Sequence, residues 1–407
     1  GNDVGSRVIL LSAILIGVVS VLLGYSVYLV TGSGSIWGIT TGESKLGGLF
    51  WQGLGFRVDQ LRYFQQFKLT PPIDDPTQAI VFAILVGGGA AALITRSFVV
   101  KHLPDRWMLA QAILGGFLLG YGARLALGCN IGNFLSAWAA GGLNAALFTI
   151  ALLPGTFLGF KLTETVFAPR ARPIRLYLVP RGGLQRILGI ALLSAAIGLA
   201  LILRPLVSVW WLAGLAFGIL GWISSICFAS CYRDLISPRY SSGINVTAVG
   251  LAILVFSTGI FLLQQLGGIP FRLTPPQIGA VQILLGGFIF GLGIGVAGAC
   301  IYSSEWRAAG GSIYSMVVLA STILLGMPAL ALHYDWWLLV LPQEPKPFTL
   351  YALSPIMGYA APLAFSALLI GYGIRNDVLT RDAIARWIGV IPRITLPSKA
   401  EAQKVGG

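Results

Sequence analysis

Apolar residues gather along this chain in ten long runs, near 8–30, 79–98, 107–128, 143–161, 185–203, 206–226, 243–265, 278–300, 313–333 and 359–376. Each run, at roughly 20 residues, can cross the ~30 Å hydrocarbon layer of a bilayer as one helix. The first is too long for a signal peptide and lacks its small-residue cleavage pattern, so it counts as a span. The pattern predicts an all-α polytopic membrane protein with about ten transmembrane helices.

The polar segments between the runs set the orientation, because Lys and Arg stay on the cytoplasmic side. Segment 161–186 holds Lys161, Arg170, Arg172, Arg175, Arg181 and Arg186 against Glu164 alone, which marks it as cytoplasmic. Alternating from there puts 18 of the 27 Lys and Arg residues inside and 7 outside. Arg124 and Arg307 fit neither group. Ten crossings with both termini cytoplasmic follow, and residues 377–407 read as a basic cytoplasmic tail.

The chain also repeats itself. Residues 111–129, QAILGGFLLGYGARLALGC, align without gaps on 282–300, QILLGGFIFGLGIGVAGAC, with nine of nineteen positions identical, Gln111/Gln282 and Cys129/Cys300 among them. The flanking runs correspond as well, which divides the chain into half-repeats at 1–205 and 206–376 with five spans each. Because five is odd, the halves enter the membrane in opposite senses. Inverted repeats of this kind are a transporter signature and place equivalent broken segments near the midplane.

Composition narrows the reading further. Hydrophobic residues make up 56% of the chain and charged residues 10%, which excludes an ordinary soluble protein. The net charge of +13 belongs to loop asymmetry rather than to nucleic acid, since no basic stretch interleaves with aromatics. Four cysteines in apolar or Gly-rich surroundings do not form a secreted disulfide pattern. His102 and His333, the two histidines, lie far from them in sequence, so no metal site, haem or other cofactor is expected. No Walker-type segment indicates an ATP-driven pump. The 53 glycines far exceed an average share of about 7% and call for close-packed or interrupted helices.

The interruptions fall at the repeated cysteines. After Cys129 the chain reads NIGNFLSAWAAGGL, and after Cys300 it reads IYSSEWRAAGGS. Both predict a helix that stops, a short re-entrant helix, then another span. Such backbone is tolerated at membrane depth only inside protein or along a wet cavity, so the breaks mark a pathway. The N-termini of the short helices favour anions. Arg124, with no acidic neighbour in sequence, is expected to attract or hold an anion. For Arg307 the readings stay open: a place on the path, a local pair with Glu305, or a position at the interface. Cys129 and Cys300 stand at the breaks themselves, while Cys227, at the end of the 206–226 run, offers a third thiol station. Cys231 reads as structural.

At these residues the chain resembles the YeeE/YedE family of sulfur-compound transporters of the bacterial inner membrane. The likeness rests on GARLALGC (122–129) followed by Gly132, on ICFASCYRD (226–234), and on the second Gly/Cys repeat ending at Cys300. It implies an hourglass-shaped importer in which thiosulfate passes between central cysteines through weak S–H···S contacts, a small cytoplasmic sulfur-carrier protein receiving it. The stations would be Cys129, Cys300 and Cys227, with Gly128, Asn130, Gly132, Arg124 and Arg307 along the path. Asn130 stands where Thr is common in the family, Cys300 is followed by Ile301 and Tyr302, and Ile223–Ser225 also departs from the pattern, so contacts to the permeant differ. The expected function is uptake of thiosulfate or a related small sulfur anion without catalytic residues. The alternative is a membrane thiol redox protein or enzyme handling persulfide or selenium compounds covalently, against which no cofactor motif or general base accompanies the thiols.

Overall fold

In the computed structural model the described residues are 2–236 and 243–376. Arg239 and the expected tail 377–407 lie outside them.

The first part of the chain runs through α1 (Asn2–Thr31), α2 (Thr40–Gly53), α3 (Arg62–Gln66), α4 (Pro76–Ile94) and α5 (Arg106–Leu125). A π-helical turn over Asn130–Leu135 leads into α6 (Ser136–Ala139), followed by α7 (Leu143–Leu162) and α8 (Gly182–Ala200). The second part holds α9 (Pro205–Ser224), α10 (Phe228–Ile236), α11 (Ile244–Gln265), α12 (Ala280–Ala297) and α13 (Ile301–Ala309). It ends with α14 (Ile313–Ser321), which continues through a second π-helical turn into α15 (Met327–Val340), and α16 (Pro355–Asn376). Ten helical stretches among the described residues are long and apolar enough to span a membrane, and each overlaps one of the ten apolar runs. The protein is an all-α multi-pass membrane protein. Short strand pairs only tie loops together, Gly34–Ser35 with Phe271–Arg272 and Val100–Leu103 with Ile174–Leu178.

Packing partners come in matching sets once the second part is laid on the first in order. α4 lies on α9 as α11 lies on α1, α8 on α4 as α16 on α11, and α7 on α12 as α14 on α5. The short helices follow the same rule, with α2 on α4, α10 on α11, α13 on α4 and α6 on α11. Residues 1–205 and 206–376 therefore interlock instead of forming two separately packed bodies.

Segment 31–78, read from the sequence as an outside loop, contains α2. Its polar start, TTGESK, gives no hydropathy signal, yet Thr40, Gly42, Glu43 and Ser44 are buried. Lys45 anchors it by an ion pair of 2.6 Å to Asp75, the residue that caps α4. Burial pushes the Asp75 carboxyl up, but Lys45 and hydrogen bonds from Thr70, Thr77 and Gln78 outweigh it and hold it well below the usual carboxylate range.

Candidate functional site

α5 and α12 stop at equivalent points. Leu127 takes a left-handed backbone at φ 52° and Gly298 takes the same conformation at φ 67°. Glycine adopts it without strain, whereas a leucine there costs of order 1–2 kcal/mol and persists only because the surroundings hold it. The conserved order of the repeat also finds a use. Gln111 Nε2 donates to the Val296 carbonyl at 2.7 Å and Gln282 Nε2 to the Leu125 carbonyl at 3.0 Å, so each glutamine satisfies an orphan carbonyl at the end of the helix that carries the other.

Past each stop a cysteine starts the next short helix. Cys129 Sγ accepts from the Ile131 N–H at 3.3 Å. Cys300 Sγ accepts from the Ser303 N–H at 3.3 Å, while Ser303 Oγ accepts from the Cys300 N–H at 3.1 Å, a reciprocal capping box. Cys227 immediately precedes α10, and the Cys231 N–H points to its carbonyl at 3.3 Å. Helix N-caps favour Ser, Thr, Asp or Asn, and a sulfur acceptor is the weaker choice. Thiols in three such positions are not explained by helix stability.

The structure brings these groups together. Cys227 and Cys300 are neighbours, and both thiols donate to the Ser303 hydroxyl, at 3.2 and 3.3 Å. Cys227 therefore lies just past the end of α9 and against Cys300. Tyr232, on α10, lies within electrostatic reach of Cys129, Cys227, Cys231 and Cys300, and its buried hydroxyl has no hydrogen-bond partner among the described residues. Sequence reasoning missed Tyr232 and Ser303. The available signals were that Tyr232 lies inside the ICFASCYRD segment and that Ser303 follows Cys300 by three residues.

Cys129 lies within electrostatic reach of Glu43 and Glu305, and Glu43 in turn of Arg124. Arg124 is wholly buried; its Nε donates to the Tyr63 hydroxyl and its Nη1 to Thr40 and Thr41 at 3.0 and 3.3 Å. Its guanidinium also lies 4.8 Å over the Phe67 ring. Nη2 has no partner. The other charges here come from Glu43 and Glu305, both wholly buried and next to each other. Neither was foreseen as part of the site.

Glu305 therefore does not form the local pair with Arg307. Residues two apart on a helix face different ways. Arg307 lies over the Trp306 ring at 5.1 Å and lines a cavity of about 430 Å³ together with Ser97, Trp222 and Ser225. From there it is within electrostatic reach of Cys227.

The remaining expected positions divide by packing. Both side-chain amide atoms of Asn130 are buried without partners among the described residues. Gly128 is covered by the Asn133 amide, which donates to the Ala126 and Gly128 carbonyls and accepts from Asn144, so it satisfies backbone freed by the break. Gly132 has open space where a Cβ would be. Gly132→Ala is expected to leave stability within about 0.5 kcal/mol, and Gly128→Ala to cost about 1–3 kcal/mol by displacing Asn133. Thermal unfolding in detergent micelles checks both.

Comparison with known proteins agrees with this architecture. Residues 6–158 and 223–392 match the family described as Sulphur transport. The chain is 28% identical over 372 residues to the probable transporter YedE of Escherichia coli (strain K12), covering 86% of this chain and 90% of that protein. It is 29% identical over 321 residues to the probable transporter YedE of Salmonella typhimurium, covering 74% and 77%. A shorter likeness, 28% over 195 residues, covers 43% of this chain and 56% of the thiosulfate transporter TsuA of Spirochaeta thermophila. Two interlocked sets of helices, broken at capping cysteines and matched along most of their length, place this chain in the YeeE/YedE family of sulphur-transport proteins.

Proposed function

We propose that this protein imports thiosulfate, or a similar small sulfur-containing anion, along a central path lined by Cys129, Cys300 and Cys227. The observation that carries the reading is three thiols at the starts of three short helices, two of them joined through Ser303. A thiol is a weak donor with a soft, polarizable sulfur. The terminal sulfur of thiosulfate is less tightly hydrated than an oxyanion oxygen and exchanges water for thiols at lower cost. Sulfate lacks that sulfur and is rejected. The similarity to a protein named as a thiosulfate transporter supports the substrate class.

Arg307 in its cavity gathers the anion at one end of the path, and the basic loops around that cavity make this the cytoplasmic end. The protein then lies in a bacterial cytoplasmic membrane with both termini inside, where a small sulfur-carrier protein collects the product.

The test is uptake of thiosulfate into cells lacking their own system. Replacing Cys129, Cys227 or Cys300 singly by Ala is expected to slow uptake about tenfold, the equivalent of ~1.4 kcal/mol in the barrier. The Ser variants keep a capping acceptor and hence the fold, so they separate loss of the thiol from loss of the helix. Full uptake by all three Ala variants would sink the proposal. Trapping of a covalent sulfur adduct during turnover would instead favour thiol chemistry.

A further inference from the structure

The carboxyl groups of Glu43 and Glu305 are wholly buried and the thiol path makes no use of them. α2 supplies one and α13 the other, and the two side chains meet. Among the described residues none of their four oxygens receives a hydrogen bond from another group. The cation beside Glu43 is Arg124, whose Nη2 has no partner among the described residues. The other titratable groups around them are the Cys129 thiol, the Tyr302 phenol and the Tyr63 phenol held by Arg124. On the α4 side Lys45 is committed to Asp75 at 2.6 Å, and on the α9 side the Tyr302 hydroxyl donates to the Phe217 carbonyl at 2.6 Å.

An ionised carboxylate only accepts hydrogen bonds, whereas a protonated one also donates. Two like charges in contact, shielded from water, do not both ionise. One proton shared by the pair supplies the missing donor, since the O–H of one carboxyl donates to the other. It also balances the remaining carboxylate against Arg124. We propose that Glu43 and Glu305 together form a proton-binding site whose loading is coupled to passage of the anion.

This inference rests on the transport reading above, and charge arithmetic supplies the coupling. With one proton the group of Arg124 and the two glutamates is neutral. A second proton makes it a net cation beside Cys129, which favours an anion there. Loss of the proton makes it a net anion, which repels one. Proton and permeant are therefore loaded together and released together.

Purified protein in liposomes tests this with thiosulfate as the probe. One proton per anion at zero membrane potential converts a gradient of one pH unit, acid outside, into about tenfold accumulation. The wild type is expected to show that accumulation. Glu43→Gln and Glu305→Gln are expected to lose it while keeping thiosulfate counterflow exchange, which shows that they are folded. Accumulation that persists in both variants, or that follows a sodium gradient and ignores pH in the wild type, overturns the proposal. If the wild type exchanges no thiosulfate at all, the transport reading fails, and infrared spectra decide the proton site separately. A carbonyl stretch of a protonated carboxyl that titrates and disappears in the Gln variants supports the site, and its absence from the wild type overturns it.

Discussion

Gly291→Leu is expected to prevent α7 and α12 from packing, and with it recovery of monodisperse protein from detergent. Along this interface the glycines face backbone. A Cβ at Gly291 would run into the Leu152 carbonyl, one at Gly155 into the Phe288 carbonyl, and one at Gly159 into the Leu292 carbonyl. Gly155 and Gly159 are spaced four apart, as are Gly291 and Gly295, so the two helices approach through reciprocal small-residue stripes. Backbone cannot yield as a flexible side chain can. The cost should therefore exceed the ~1–3 kcal/mol of ordinary overpacking. Gly371→Leu is the control, since no atom of the described residues lies within 4 Å of a Cβ there. Size-exclusion profiles and thermal unfolding should separate the two variants. Normal behaviour of Gly291→Leu would mean that this interface is not needed for the fold.

Arg124→Met is expected to destabilise the protein by about 3–5 kcal/mol, the cost of removing one partner from buried charges. The substitution leaves Glu43 without its cation and takes the donor from Tyr63, Thr40 and Thr41. Met fills much of the same volume, so the loss reports charge and hydrogen bonding more than a cavity. Placing Arg124→Met in the Glu43→Gln, Glu305→Gln background should recover part of the stability, because residues sharing one network are not additive. An additive result in thermal unfolding would show that the guanidinium and the carboxyls act independently.

How much of this was legible beforehand differs from element to element. The ten spans were readable because hydrocarbon demands long apolar runs, and each predicted run meets a helix. The stops before Cys129 and Cys300 were readable because a glycine-rich repeat ends on a cysteine in both copies. For Arg307 the sequence left several readings open, and nearness in sequence to Glu305 could not decide between them because residues two apart on a helix face different ways. α2 was missed for a different reason. A short helix buried in protein, not lipid, can begin with Thr, Gly, Glu and Ser, and hydropathy is silent about it.

By itself, then, the sequence determined what each segment pays or gains on entering the membrane: the number of spans, the two breaks, and the thiols placed at them. Only the tertiary structure decided which buried polar groups meet. Glu43, Arg124 and Glu305 come from three distant segments, and Cys227 reaches Ser303, 76 residues away within the second part of the chain, and its neighbour Cys300. Those meetings follow from how closely glycine lets helices approach and from how the two sets interlock. They are properties of the packed assembly, with no signature in any one segment.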